Sequence, residues 1–353
     1  MSEQERDILP VERIHPTSPR LLGLTVVIML LSGVMLNASV KLLFQTYPGL
    51  DNPTYGAFHE QWRRLMDLDR PVDTLILGDS SCRHGVDPDV LDAELGSHSL
   101  NFCSLGNAAI INSAWQLETY IERHGVPKRV ILIQVHDVWR RNMQLPLVAR
   151  VPLPWGFWER LRASWSPDRR QLRHIFLALH VPVYSQDKTV TELLAYPWRA
   201  RERRLPFTPR GYSPIERANP RRVARDAAQH VRKTARRGWR LSAQSRGALQ
   251  TMMDMADELG FDFYVGNSPQ AEGMLSKPQF ARYYESGQRV LADLADTSPR
   301  TELILSPPVE YSRRQMENSD HIIATSVPSY TRRLAAAVAT SELHRVPQRR
   351  REQ

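Results

Sequence analysis

Short apolar runs alternate with amphipathic segments from about residue 71 almost to the end of the chain. An apolar run without an alternating polar face is typical of a strand in a parallel sheet, because helices cover both faces of such a sheet. The intervening segments carry helix stop signals, such as Gly125 followed by Pro127. This alternation predicts an α/β fold with a doubly wound, mostly parallel sheet and flavodoxin-like layers. The predicted strands are 73–77, 98–102, 129–135, 261–265 and 301–305, and the predicted helices are 88–95, 109–124, 220–237, 245–259, 280–296 and 327–339.

The N-terminal part of the chain has a different pattern. Residues 21–40 carry no charge and lie between Arg20 and Lys41. A helix of ~20 apolar residues spans the ~30 Å hydrocarbon core of a bilayer. A buried core helix would show a polar face, and a signal peptide would have a shorter apolar region and a cleavage site, so we favour an uncleaved anchor. Arg6, Arg13 and Arg20 precede the span, which predicts a cytoplasmic N-terminus and a periplasmic main domain in the inner membrane.

These patterns predict the domain organisation. We expect a cytoplasmic tail at 1–20, a transmembrane anchor at 21–44, a linker at 45–70, the α/β domain at 71–345 and a short tail at 346–353. Residues 151–240 break the alternation with prolines and tryptophans, and we interpret them as an insertion between the two halves of the sheet.

The charge of the chain is concentrated in that insertion. The net charge of the 353-residue chain is +9, and residues 199–240 contain fourteen Lys or Arg against three Asp or Glu. Such a run is either a solvated face or a surface that binds an anionic polymer or lipid headgroups. Nucleic acid would select the same composition, but we expect none outside the cytoplasm. The sequence has no metal-ligand spacing, phosphate loop or dinucleotide fingerprint, so we predict neither a metal nor a cofactor.

The candidate chemistry begins at the end of the first predicted strand. Gly78, Asp79 and Ser80 follow that strand, at the sheet edge where open α/β sheets bind ligands. A serine there is a nucleophile if a base reaches it, although a Gly-Asp-Ser segment is also an ordinary turn. His321 lies in a polar loop before the final helix and is the best base candidate, the alternative being a solvated loop histidine.

The order of these signals resembles the SGNH (GDSL-type) hydrolase superfamily. Gly-Asp-Ser at Ser80, an N-x-x-x-x-G segment from Asn101 to Gly106, and an acidic residue with His321 near the C-terminus occur in the family's order. The resemblance covers about residues 71–338 and is strongest to the membrane-anchored branch associated with acylation of envelope polymers. It implies that Ser80 is the nucleophile, His321 the base, and the Ser80 and Gly106 N–H groups part of the oxyanion hole.

The chain departs from the family pattern at two places. The aspartate expected three residues before His321 is Asn318, so we expect Asp320 to replace it, with Asn318 and Asp79 as other candidate orienting groups. The G-x-N expected after the third strand is absent. Asn107 and His136 are the candidate donors in its place, although His136 also fits a plain polar strand end.

Two cysteines, Cys82 and Cys103, follow strands that should be neighbours. Outside the cytoplasm a disulfide between them is allowed and would brace the nucleophile loop against the oxyanion loop. Two separate thiols in tight turns are the alternative.

The resemblance implies a membrane-anchored serine acyltransferase or esterase that acts on acyl, expected to be acetyl, esters of an envelope or exported polysaccharide. The partners it implies are an acylated envelope glycan, a membrane-embedded acyl donor protein and the bilayer around 21–44. The alternative is a non-catalytic module that binds polysaccharide or serves in assembly, which the two departures favour.

Overall fold

The computed structural model describes residues 18–46, 53–148, 150–151, 169–185, 187–195, 207–235 and 238–349. Most of the predicted cytoplasmic tail, the first part of the predicted linker, much of the predicted insertion and the last four residues lie outside these ranges.

A five-stranded parallel sheet forms the centre of the molecule, in the order β2-β1-β3-β4-β6. This doubly wound order is the flavodoxin-like one, with a switch point between β1 and β3. All five predicted strands are present, and a small parallel pair, β5 with β7, lies outside the main sheet. The strands are β1 Thr74–Gly78, β2 Ser99–Asn101, β3 Arg129–Gln134, β4 Asp262–Asn267, β5 Gln270–Ala271, β6 Thr301–Ile304 and β7 Glu310–Tyr311.

Helices precede the sheet and connect its strands. They are α1 Pro19–Thr46, α2 Pro53–Met66, α3 Ser80–Gly85, α4 Pro88–Leu95, α5 Ala109–His124, α6 Leu145–Val148, α7 Arg169–His180, α8 Pro182–Ser185, α9 Asp187–Ala195, α10 Pro220–Ala235, α11 Ala243–Leu259, α12 Pro278–Ala295 and α13 Val327–Arg349.

The core has two halves, one on each face of the sheet. Leu75 and Leu77 of β1 face one half, and Ile76 between them faces the other, as the two-residue period of a strand requires. Helices α2, α5 and α11 cover the first face, and α3, α4, α10, α12 and α13 contribute to the second. The apolar strand runs of the sequence are therefore buried on both sides.

Helix α1 is long and apolar enough to cross a membrane. Within its span Pro19–Leu43, an 18-residue window has a mean hydropathy of 2.2, and none of that window is buried by the rest of the described chain. Near its C-terminal end, the Asn37 side chain donates to the His180 carbonyl at 3.1 Å and accepts from the Val183 N–H at 3.3 Å. Helix α1 therefore contacts the segment that joins α7 to α8.

The second half of the predicted linker is a core helix instead. Phe58, Trp62 and Leu65 of α2 are fully buried, and the Trp62 indole donates to the Asn112 side chain at 2.9 Å. Their i, i+4, i+7 spacing puts these side chains on one helix face, which packs against α5. The folded domain thus extends at least to Pro53 rather than beginning near residue 71.

The described C-terminal part of the predicted insertion also packs onto the domain. Arg222 of α10 pairs with Asp226 and with Glu317 of the loop that carries His321. Arg210 pairs with Asp89 and Asp92 of α4. These two arginines of the basic run are therefore paired with neighbouring carboxylates, so the run is not simply a solvated face.

Candidate active site

The turn after β1 places Ser80 at the switch point of the sheet. Gly78 has φ +154°, and a Cβ atom there would lie 2.1 Å from the Ile133 carbonyl oxygen of β3, so the turn requires glycine. Asp79 is the N-cap of α3, and Ser80 is the first residue of that helix. Ser80 thus lies at the carboxyl edge of the sheet beside β3, where doubly wound folds bind ligands.

Asp79 holds this turn together rather than orienting His321. One carboxylate oxygen accepts the Ser81 N–H at 2.8 Å and the Ser81 hydroxyl, and the other accepts the Val135 N–H at 2.8 Å. Burial raises the pKa of the Asp79 carboxyl, while the hydrogen bonds from Ser81 and Val135 oppose that rise. These bonds fix α3 against the end of β3, so the expectation that Asp79 orients the histidine is replaced by a structural role.

His321 reaches the Ser80 hydroxyl across 241 residues of sequence, with Nε2 3.0 Å from Oγ. A tight loop presents the imidazole: Met316 and Ile322 form an antiparallel bridge, and the Glu317 N–H donates to the His321 carbonyl at 2.9 Å. The predicted Ser80–His321 contact distance is therefore observed.

Asn318 contacts the other ring nitrogen of His321. Its side-chain oxygen accepts the backbone N–H groups of Asp320 at 3.0 Å and of His321 at 2.7 Å. These two donors fix the amide so that its Nδ2 group faces His321 Nδ1 at 3.0 Å. An amide N–H donates, so Nδ1 accepts, and the single proton of a neutral imidazole lies on Nε2, toward Ser80.

The imidazole of His321 is neutral in this environment. Burial lowers its pKa well below the usual value, and the neighbouring His84 and Arg83 lower it further. His84 lies on α3 one turn after Ser80, and its ring centroid is 5.1 Å from that of His321. In this arrangement Nε2 of His321 carries a proton. It can accept the Ser80 proton only after its own proton has moved to Nδ1.

Asp320 does not take the place of the missing aspartate. Its carboxylate lies 3.9 Å from Nε2, beyond hydrogen-bond distance, and on the Ser80 side of the ring rather than at Nδ1. Burial, with the nearby Asp79 and Asp137 carboxylates, raises the pKa of Asp320 to about 8. The carboxylate nearest to Nδ1 is that of Glu317, at 3.9 Å, and it is paired with Arg222.

The loop after β2 brings Gly106 and Asn107 to the start of a short 3-10 helix, Gly106–Ala108. A Cβ atom on Gly106 would lie 2.8 Å from Nη1 of Arg141, and the same guanidinium donates to the Asn107 side-chain oxygen at 3.4 Å. The loop of Gly106 and Asn107 is thus in contact with the guanidinium of Arg141, a residue from the turn after β3.

The ring of His136, an expected oxyanion donor, contacts other aromatic side chains. It packs edge-on against Phe280 at 4.9 Å, His230 at 5.2 Å and Tyr283 at 6.0 Å between centroids. These contacts assign the imidazole to a neighbouring cavity between β3, α10 and α12 rather than to the oxyanion hole.

Cys82 and Cys103 form a disulfide, with Cα atoms 5.7 Å apart. The bond joins α3 to the loop that leads to Gly106. Of the two alternatives that the sequence left open, the structure has the bridge, which joins the segment of Ser80 to the segment of Gly106.

Two charged or titratable residues of the site, His84 and Arg141, were not predicted from the sequence. His84 follows Ser80 by four residues, the spacing that puts two side chains on one helix face. Arg141 follows Asp137 by four residues, and the two pair at 2.5 Å. The spacings were visible in the sequence, but their meaning depends on α3 and the turn after β3 lying side by side.

Comparisons with known proteins give no family assignment. No protein-family model matches the sequence, and no curated protein is similar to it. A solved structure described as "a putative platelet activating factor from Streptococcus pneumonia" aligns with this chain at 9% sequence identity and a TM-score of 0.34, over 84% of this chain and 96% of that chain. At this identity and TM-score the similarity carries no functional assignment.

Proposed function

We propose that the protein is a membrane-anchored SGNH-type serine esterase or acyltransferase that acts on acyl esters of an envelope glycan. The observation that carries the proposal is the 3.0 Å contact between Ser80 Oγ and His321 Nε2 at the switch point of the sheet. A serine hydroxyl hydrogen-bonded to an imidazole is the arrangement that nucleophilic acyl transfer requires.

In the proposed reaction, Ser80 Oγ attacks the carbonyl carbon of the ester as its proton passes to His321 Nε2. The Ser80 and Gly106 N–H groups are the proposed donors to the oxyanion, and the Arg141 guanidinium adds positive charge beside them. The tetrahedral intermediate collapses to an acyl-Ser80 ester, and His321 protonates the departing alkoxide. A carbohydrate hydroxyl or water then attacks the acyl group, and His321 takes and returns the proton a second time.

Asn318 makes the first step slow. His321 Nε2 accepts a proton only when its own proton lies on Nδ1, where it meets the Asn318 N–H donor. Turning the amide to offer its oxygen gives up the two backbone hydrogen bonds to Asp320 and His321. Leaving a buried donor without a partner costs about 1–3 kcal/mol. We therefore infer that His321 acts as the base, but that Asn318 slows the transfer of the Ser80 proton to it.

Two features support the compartment that we propose. Helix α1 is long and apolar enough to anchor the chain, and a disulfide persists in oxidising compartments rather than in the cytoplasm. We place the N-terminus in the cytoplasm and the α/β domain on the other side of the inner membrane, where an acylated glycan and a membrane-embedded acyl donor are the partners.

A non-catalytic glycan-binding module is the second candidate. The Asn318 amide favours it, because an imidazole that donates to Ser80 does not activate that hydroxyl. The same cleft would then hold a glycan without acyl transfer.

Hydrolysis of a soluble aryl acetate by the purified full-length protein separates the two candidates. We expect slow turnover that is lost in Ser80→Ala and retained in Ser113→Ala, a buried serine of α5 that no hydrogen bond joins to Ser80 or His321 in the described part of the chain. No turnover in the native protein, or equal turnover in Ser80→Ala, would favour the binding module.

A further inference from the structure

A cavity of about 280 Å³ lies next to the candidate active site. The turn after β3, helix α10 and helix α12 form its walls, and it is open to solvent. Its lining includes His136, Asp137, Arg140, Arg141, His230 and Lys233. This volume is at the lower end of small-molecule sites, which suits one sugar residue better than a larger ligand.

The inner wall carries polar atoms that lack partners. His136 is 3% exposed, and within the described part of the chain neither of its ring nitrogens has a hydrogen-bond partner. The same holds for Nδ1 of His230 and for one carboxylate oxygen of Asp137. Buried polar atoms in folded proteins are nearly all paired. Four such atoms around one cavity indicate a ligand that hydrogen-bonds to them.

The charge of the cavity selects an anion. Arg141 is paired with Asp137, which leaves Arg140 and Lys233 as the positive charges near the mouth. Burial lowers the pKa of His136 to about 3, so its imidazole is neutral and suits the hydroxyl groups of a sugar.

Two contacts connect this cavity to Ser80. Arg141 lines the cavity and also donates to the Asn107 side chain of the oxyanion loop. Asp79, next to Ser80, accepts the N–H of Val135, the residue before His136. A ligand that contacts His136 therefore contacts the residue next to Val135, whose N–H group holds the turn of Ser80 through Asp79.

We propose that this cavity is the acceptor subsite and binds a carboxylate-bearing sugar residue of the glycan. Arg140 and Lys233 contact the carboxylate, and the two imidazoles hydrogen-bond to the ring hydroxyls. The role as an acceptor subsite rests on the proposed acyl transfer, whereas the binding of an acidic sugar is tested without it.

Calorimetric binding to the full-length Ser80→Ala protein in detergent tests the subsite without turnover. The probes are a glucuronate-containing oligosaccharide, a neutral glucose oligosaccharide of the same linkage and a glycerol phosphate oligomer. We expect the glucuronate oligosaccharide to bind at least tenfold more tightly than either of the others. Arg140→Gln and Lys233→Gln should each weaken its binding by about tenfold, since each removes a contact with a charged group.

Arg232→Gln is the matched control, because it removes the same charge from the exposed face of α10 beside Lys233 and does not line the cavity. Equal loss in Arg232→Gln and Lys233→Gln, or equal affinity for the neutral oligosaccharide, would overturn the subsite. Tighter binding of the phosphate oligomer would overturn the carboxylate assignment. Intact selective binding by a native protein that cannot acylate Ser80 would reject acyl transfer and leave the acidic-sugar site standing.

Discussion

At the scale of single residues, Asn318 decides what the Ser80–His321 pair can do. Its oxygen is held by two backbone N–H groups, so its amide nitrogen faces the imidazole. An aspartate at this position would keep both backbone bonds with one oxygen and accept the His321 Nδ1 proton with the other. It would also stabilise the imidazolium that forms as Ser80 loses its proton.

Asn318→Asp should therefore raise kcat/KM for ester hydrolysis by about 10–10³-fold and raise the pKa of His321. The range lies below the ~10⁴ effect of the reverse change in a Ser-His-Asp protease. Kinetics and an NMR pH titration of the imidazole measure the two effects. Asn219→Asp is the control, because it adds the same charge next to the loop without contacting His321. Unchanged or lower activity in Asn318→Asp would contradict the role given to the amide.

The buried Asp320 should make the free energy of unfolding depend on pH, and the sign of this dependence follows from its pKa. Its pKa is raised from 3.8 to about 8, so between these values the folded protein holds a proton that the unfolded chain releases. The free energy of unfolding contributed by this residue is therefore highest below about pH 4 and falls as the pH rises toward 8.

Asp320→Asn removes the ionisable group and with it the fall in the free energy of unfolding at rising pH. The variant should therefore gain stability relative to the native protein as the pH rises from 5 to 8. The difference in slope is on the order of 1 kcal/mol per pH unit. Denaturant unfolding of both proteins in detergent measures it, with Asp293→Asn on the exposed face of α12 as the control. A constant difference across this range would mean that Asp320 ionises normally in the folded state.

The sequence predicted Ser80 and His321 because their order and their places after strands were enough. It did not predict that Asn318 presents its nitrogen, nor that His136 turns away from the oxyanion loop. Those facts depend on which backbone groups and rings surround each side chain, and spacing along the chain does not contain that information.

At the scale of elements, the first helix also contacts the folded part of the chain. Asn37 hydrogen-bonds to both sides of the bend between α7 and α8, and Val40 is buried in the same region. Phe176 of α7 and Tyr184 of α8 are exposed. The segment therefore packs against the C-terminal part of helix α1.

Asn37→Val should release this segment from α1. Both hydrogen bonds are lost, and we expect limited proteolysis within residues 169–195 to become several-fold faster in protein reconstituted into nanodiscs. Ser39→Val is the control, since Ser39 is exposed on the same helix. Equal cleavage rates in the native protein and Asn37→Val would show that the contact does not hold the segment.

Helices were predicted well where the pattern was amphipathic and bounded by caps, as in α4 and α5. Helix α2 was assigned to a linker because only the packing of Trp62 against Asn112 shows that it belongs to the core. The ion pairs of Arg222 with Glu317 and of Arg210 with Asp89 and Asp92 could not be predicted for the same reason, because these partners lie far away in sequence.

At the scale of the whole molecule, the account requires the α/β domain to lie outside the cytoplasm. A C-terminal alkaline phosphatase fusion should be active in intact cells, and a cytoplasmic reporter at the same position should be inactive. A phosphatase fusion truncated before residue 21 is the negative control. An inactive full-length phosphatase fusion with an active cytoplasmic reporter would place the domain inside and remove the oxidising compartment that the disulfide needs.

The most direct measurement of the central claim is acylation of Ser80 itself. The full-length protein is incubated with an activated acetyl ester, quenched in acid, digested and analysed by mass spectrometry. The account predicts one acetyl group on Ser80, formed slowly in the native protein, faster in Asn318→Asp, and absent from Ser80→Ala and His321→Ala. Acetylation of another residue, or no adduct on Ser80 in both the native protein and Asn318→Asp, would contradict the claim that Ser80 and His321 form an acyl-transfer site.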